Sequence, residues 1–294
     1  MDSQSRAQLD IVVPARNEAR NIVECLEALP AAGPQMDLRV IVVANGEDWE
    51  TTSTAASHAS AIFESQGMEL KVFGHATPGK TRALNLGDRH TRGCPVAYLD
   101  ADVRLAPGAL HHIGAALDCS EPRLAGPHRV LRQPLGVIAR NYARVWRNLP
   151  AVKGRLIGTG CYAVNPAGRA RWGEFPPIIA DDAFVQSRFC SDEWTICTNA
   201  PCAVTFPEWP ELIVAIRRWR AGSEELRHLP AHGTAIGSSD PRAGWPANLR
   251  FIWSHPDLWR SVPAYLFVQA ISRMGPPPGM AWTPHRAEGF GKAP

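Results

Sequence analysis

The stretch Leu9-Asp10-Ile11-Val12-Val13-Pro14-Ala15-Arg16-Asn17-Glu18 runs from an apolar, β-branched segment straight into proline, arginine, asparagine and glutamate. A short apolar run bounded by turn residues reads as a strand covered on both faces, as in parallel sheets. Beyond it Ile22, Leu26 and Leu29 recur at helical spacing, and Pro30 with Gly33 is expected to stop that helix. A second apolar run at 38–43 completes a β-α-β unit, and further strands are expected near 69–74 and 95–99. The first half therefore reads as α/β, a mostly parallel central sheet flanked by helices. Ligands of such sheets bind at the carboxyl ends of the strands, so 14–18, 45–48, 74–81 and 100–102 are the expected binding segments.

With 294 residues, 45% hydrophobic and 20% charged, the chain has material for one large core or two small ones, and disorder along its whole length is excluded. No window offers the roughly 18–20 uninterrupted apolar residues of a bilayer span, and the first ten residues are polar, so a cytoplasmic location is expected. Seven cysteines without a Cys-x-x-Cys pair or a nearby His-x-x-x-His argue against a disulfide framework or a zinc site. The net charge of +3 conceals an asymmetry: residues 122–173 hold nine Arg, one Lys and no Asp or Glu. That concentration points to a local anionic partner and not to a coat for nucleic acid.

Within this basic region, 134–149 has helical periodicity, with Leu135, Ile138, Tyr142, Val145 and Leu149 on one side and Arg140, Arg144 and Arg147 on another. The arginine stripe is open to three readings: a solvated face, a site for an anionic acceptor, or a surface that meets a membrane. Strands at 156–164 and 196–206 flank a helix expected to start near Asp182. Residues 230–248 and 275–294, rich in Gly and Pro, read as irregular, with an amphipathic stretch at 258–274 between them.

Two phosphate-binding readings compete. Gly74-His75-Ala76-Thr77-Pro78-Gly79-Lys80-Thr81 fits the P-loop pattern after a strand, as in a nucleoside triphosphatase. Against it, only fourteen residues separate Thr81 from Val96, too few for the helix and further strand of that fold, and 14–18 and Asp102 are left without roles. The alternative starts from Asp100-Ala101-Asp102, two carboxylates at the carboxyl end of an apolar strand. Mg2+ or Mn2+ takes one or two carboxylates and completes its shell with substrate phosphates and water, which suits a nucleoside diphosphate.

Five segments in order carry a family resemblance: Pro14-Ala15-Arg16-Asn17-Glu18, Gly79-Lys80-Thr81-Arg82-Ala83-Leu84-Asn85, Asp100-Ala101-Asp102, Ala180-Asp181-Asp182 and Arg217-Arg218-Trp219-Arg220. Over about residues 8–230 the chain resembles the inverting family 2 glycosyltransferases, which have the Rossmann-like glycosyltransferase A fold. The resemblance implies a catalytic domain over 1–230, with a nucleotide-binding half at 8–120 and an acceptor half at 121–230. Residues 231–294 would then be a helical C-terminal extension with one amphipathic helix and a Pro/Gly-rich tail. It implies that Pro14, Ala15, Arg16 and Glu18 line the nucleoside pocket, Glu18 near the ribose. Asp100, Ala101 and Asp102 resemble the family's Asp-x-Asp motif, Asp102 holding Mn2+ or Mg2+ on the donor diphosphate. Asp182 stands where the family has its general base, with Asp181 beside it. Arg218, Trp219 and Arg220 fall near the diphosphate and acceptor, and Gly160 on the approach to the donor sugar.

Two departures shape the expectation. Ala44-Asn45-Gly46-Glu47 replaces the family's Asp-Asp-Gly-Ser, so Asn45 takes the base-reading position, where its amide oxygen accepts from a uracil N–H. Ala215 replaces the glutamine of processive synthases, which points to transfer of a single sugar. Lys80, one of four lysines against 27 arginines, is expected near phosphate. The expected partners are a nucleotide diphosphate sugar, UDP-linked by preference, and an acceptor hydroxyl that is anionic or lipid-linked, with peripheral membrane contact. The competing classes are the P-loop triphosphatase and a non-catalytic sugar-nucleotide-binding protein.

Overall fold

In the computed structural model, which describes residues 6–229 and 245–274, the opening run forms β1 (Gln8–Ala15), buried from Leu9 onward. Next, α1 (Ile22–Ala32) buries Ile22, Cys25, Leu26 and Leu29 and leads into β2 (Asp37–Asn45). Pro30 does not stop α1. A proline in the last turn deletes a single N–H, and the Gly33 N–H closes the end on the Leu29 carbonyl. The chain continues through α2 (Trp49–Ser57) and α3 (Ser60–Ser65) to β3 (Glu69–His75), through α4 (Lys80–Asp88) to β4 (Val96–Leu99), and through α5 (Ala109–Leu117) to β5 (Leu124–Arg132). Then come α6 (Val137–Trp146), β6 (Cys161–Val164), α7 (Pro166–Arg169), α8 (Asp181–Gln186), β7 (Trp194–Thr205), α9 (Glu211–His228), α10 (Trp245–Trp253) and α11 (Val262–Ile271).

The strands form one seven-stranded sheet in the order β3-β2-β1-β4-β6-β5-β7. Every neighbouring pair is parallel except those of β6, which runs antiparallel to β4 and β5. Alternate residues of one strand feed opposite faces. Ile11 and Val13 join Leu26, Leu38, Val40 and Ile113 on one side, while Val12 joins Ile41, Val43, Leu84, Tyr98 and Phe184 on the other. A third cluster, centred on Tyr142, Phe206, Leu212, Tyr265 and Val268, packs α6, α9 and the C-terminal helices together.

Four expectations need correction. β5 is a strand that the periodicity did not reveal: Leu124–Pro127 are buried, but the outer half alternates and carries Arg129 and Arg132. The strand expected over 156–164 is only Cys161–Val164, because Gly158 and Gly160 sit at φ 72° and 64°, in the left-handed region that no strand uses. The helix expected from 134 begins at Val137, and Leu135 is 85% exposed instead of lying on its buried side. The stretch 258–274 is split between a 3-10 turn (Pro256–Ser261) and α11, with α10 preceding them. Of the segments read as irregular, 230–244 and 275–294 lie outside the described residues. All seven cysteines are unpaired thiols.

Candidate active site

The ends of β1, β2 and β4, the start of α4 and the head of α8 meet at the carboxyl edge of the sheet. Beyond β1, Arg16 folds over Gly46, its side chain only 3.2 Å from where a Cβ would sit, so the first two strand-end loops are packed together. Pro14 and Ala15 are buried backbone of β1. Glu18 is buried too and accepts a hydrogen bond from Asn21 Nδ2 at 2.7 Å. Burial, with Asp102 and Asp100 nearby, pushes its carboxyl up to about 7.

Asn45 is held by backbone groups at the sheet edge. It is 2% exposed, its amide nitrogen donates to the carbonyls of Ala15 (3.2 Å) and Val43 (3.4 Å), and its oxygen accepts the Gly79 N–H at 3.1 Å. It ties β1, β2 and the loop before α4. The same bond weighs against the P-loop: the Gly79 amide goes to Asn45 and the Thr77 amide to His75 Nδ1, so neither is left to cradle a phosphate.

Lys80, the first residue of α4, turns inward. Its ammonium lies 2.7 Å from Asp100 Oδ1 and 3.0 Å from Asp181 Oδ1. Burial alone would lower Lys80, but the two carboxylates outweigh it and hold the amine well above its ordinary range. Asp181, 2% exposed, also accepts from the Tyr162 hydroxyl at 2.9 Å. Tyr162 is a site residue that sequence reasoning missed; a tyrosine in an apolar strand gives no sign of which carboxylate its hydroxyl meets.

Ala101 is buried, so Asp100 and Asp102 flank it at the end of β4. Burial, and next the charge of Asp100, raises the Asp102 carboxyl to about 6, with Lys80 and Arg218 opposing. Gly160 crosses directly over this turn: its carbonyl accepts the Asp100 N–H at 2.7 Å, and an added Cβ would lie 2.5 Å from Val103 Cγ2. Two residues earlier in the same turn, the Gly158 N–H donates to Asp182 Oδ2 at 2.7 Å, while the Ala183 N–H donates to Oδ1 at 2.8 Å. Burial and the adjacent Asp181 raise Asp182, and Lys80 with the two N–H donors pulls it back. The result is a fixed carboxylate with increased proton affinity, which is what a general base requires.

The Arg217–Arg220 cluster divides. Arg218 is in electrostatic range of Asp102. Arg217 instead donates to the carbonyls of Ser272 (3.3 Å), Ile271 (3.4 Å) and Met274, and Arg220 to Ser272 Oγ at 3.4 Å. Arg220 is thus directed to the end of α11 and not to the carboxylates. Trp219 stacks on Trp146 with ring centroids 5.3 Å apart and meets Phe206 edge-on. Arg129 covers the Trp146 ring at 4.9 Å, donates to the Ile157 carbonyl at 2.9 Å and feels the charge of Asp182. A cavity of about 570 Å³ lies along α4, lined by Asn45, His75, Gly79, Arg82, Asn85 and Phe175 among others, and none of Asp100, Asp102, Asp181 or Asp182 lines it.

Residues 10–158, just over half of the chain, match the family model described as glycosyl transferase family 2. The chain belongs to that family. It is a glycosyltransferase, and its sheet is the Rossmann-like glycosyltransferase A fold. Solved structures agree on the fold. The mannosyltransferase PcManGT from Pyrobaculum calidifontis, in complex with GDP-Man and Mn2+, aligns over 94% of this chain and 78% of its own, with TM-score 0.60 and 19% identity. TarS of S. aureus (residues 1–349), in complex with UDP, aligns over 90% and 83%, with TM-score 0.51 and 14% identity. Glucosyl-3-phosphoglycerate synthase from Mycobacterium tuberculosis, with Mg2+ and UDP, aligns over 77% and 81%, with TM-score 0.51 and 18% identity. A search of curated proteins finds no match.

Proposed function

We propose that this glycosyltransferase moves one sugar, with inversion, from a nucleoside diphosphate sugar to an acceptor hydroxyl, with Asp182 as general base. The observation that carries the reading is the convergence at one sheet edge of Asp100, Asp102, Lys80 and Asp181 with the fixed carboxylate of Asp182. In an in-line displacement the acceptor hydroxyl attacks the anomeric carbon as the nucleoside diphosphate departs from the opposite face. The hydroxyl proton passes to Asp182, whose two backbone donors hold it in place. Arg218 supplies positive charge toward the departing diphosphate, and Lys80 offsets part of the negative charge of Asp100 and Asp181 beside it.

A divalent cation fits this donor set. Asp102, half-buried, faces the like charge of Asp100, which a cation would relieve, since the single charge of Lys80 is shared between Asp100 and Asp181. Among the described residues no three His, Cys, Asp or Glu side chains gather to hold a metal by themselves. Asp102, with Asp100 beside it, would hold Mn2+ or Mg2+ together with donor phosphates and water. An ion held there would supply positive charge against the negative charge of the leaving diphosphate. The mannosyltransferase complex with GDP-Man and Mn2+ and the synthase complex with Mg2+ and UDP support this reading.

Because Asn45 is engaged by backbone groups, a preference for uridine loses its support from the sequence, and the base is settled by binding. Thermal shift with UDP, GDP and ATP, each with Mn2+ or with EDTA, is the test. One nucleoside diphosphate is expected to raise Tm only with metal, and ATP is expected to be no better a ligand. Stabilisation by neither diphosphate in the presence of metal would sink the reading. Ala215, buried in α9 at the position where processive synthases carry glutamine, supports single transfer.

A further inference from the structure

Away from the carboxylates, one face collects exposed apolar side chains and arginines. Leu135 is 85% exposed and Val137 69%. Their turn is firmly held: Glu208 accepts the N–H groups of Leu135 at 2.6 Å and Gly136 at 3.1 Å, and the Arg140 guanidinium donates to the carbonyls of Pro134 (3.2 Å) and Leu135. A carboxylate and a guanidinium thus hold the backbone of a turn that leaves two large aliphatic side chains in water, an exposure that folding does not require. Next to Glu208, Trp209 stacks on Phe267 with centroids 5.7 Å apart, and both rings are partly exposed.

Arg140 and Arg144 stand on the solvent side of α6, with Arg147 just past its end, all exposed. With Arg132 they line a cavity of about 400 Å³. Arg144 donates to the Asp257 carbonyl at 3.1 Å, a bond that leaves its positive charge uncancelled. Of the nearby acids, Glu208 is engaged by amides and Asp257 is the one carboxylate residue among those lining the cavity.

We propose that this face docks on an anionic phospholipid bilayer, its arginines on headgroup phosphates and Leu135, Val137 and Trp209 in the interfacial zone. Charge complementarity selects the occupant, and the apolar tips select a bilayer over a soluble phosphate. A phosphate in the cavity would use the arginines and leave Leu135 and Val137 idle, whereas aliphatic and indole tips flanked by cations are the chemistry of interfacial binding. The face also adjoins the site, since Trp146 of α6 stacks on Trp219, the neighbour of Arg218.

The test is co-sedimentation of the full chain with phosphatidylcholine vesicles and with phosphatidylcholine–phosphatidylglycerol vesicles, and it is independent of any donor chemistry. Binding is expected to the anionic vesicles only and to fall as salt rises. Arg144→Gln with Arg147→Gln, which spares the turn held by Arg140, should weaken it by roughly tenfold to thirtyfold. Leu135→Ser with Val137→Ser should weaken it by roughly tenfold at low salt, and circular dichroism melts should show both variants folded. The proposal is overturned by absence of binding at low salt, by equal binding to neutral vesicles, or by folded variants that bind like the parent. Displacement by inorganic phosphate with no effect of the apolar substitutions would also overturn it, and would reassign the cavity to a soluble anion.

Discussion

Asp182 is distinguished from its neighbour by what holds it. Asp181 is clasped by a lysine and a tyrosine, whereas Asp182 is oriented by backbone amides and keeps the raised proton affinity of a base. Asp182→Asn is therefore expected to lower kcat by about two to four orders of magnitude while donor binding, read by thermal shift, is retained. Near-normal turnover would remove the assignment. Glu18 offers a test that needs no substrate. Its carboxyl is pushed up to about 7 in the folded chain, against an ordinary value of 4.5. As pH rises between these values the unfolded chain loses the proton first, so folding stability falls across that window and the penalty is complete above pH 7. In EDTA, Glu18→Gln should raise stability by about 1–3 kcal/mol at alkaline pH and leave it unchanged at about pH 3, well below both values, where both states are protonated. An equal gain at both pH values would mean that packing, not charge, is responsible.

At the scale of elements, the turn before β6 governs the site more than any strand does. Gly160 needs both its φ of 64° and its bare α-carbon, since a methyl would meet Val103 at 2.5 Å beside Asp100. Gly160→Ala should destabilise the fold by about 2–4 kcal/mol, from left-handed backbone strain plus overpacking, and weaken donor binding. Gly154, at φ 77° with nothing within 4 Å of an added Cβ, isolates the backbone part: Gly154→Ala should cost only about 1–2 kcal/mol and spare donor affinity. Urea denaturation of both variants checks this, and equal losses would refute the steric argument. β1, β2 and β4 were legible because buried parallel strands carry long apolar runs, whereas β3, at the sheet edge with no buried residue, showed only a shorter run around Val72 and Phe73. β5 was not, because four buried residues run into an outer half bearing arginines. The carboxylates were legible as residue types, but their division of labour was not. On α9 the sequence Arg-Arg-Trp-Arg sets no rotational phase; packing against α11 sends Arg217 and Arg220 one way and Arg218 another. Likewise Asn45 has the right chemistry for a base and is taken by three backbone groups that only the folded sheet brings near it.

Across the whole molecule, a third hydrophobic cluster binds α6, α9, α10 and α11 into one body. Three of its buried members, Ile252, Tyr265 and Val268, lie beyond residue 244, and the periodicity of that part of the sequence did not say which surface it would cover. The sheet itself is continuous from β3 to β7, and β6 is the strand through which the nucleotide-side strands reach the rest: it pairs along four residues with β4 and at Leu124 and Ala125 with β5. The strands of the first half of the chain and those that follow β4 are thus mounted on a single plate. The carboxylates, Lys80 and the turn through Gly158 and Gly160 all lie beyond strand ends along one rim of that plate, so substitutions there can alter what is bound while the plate keeps its shape.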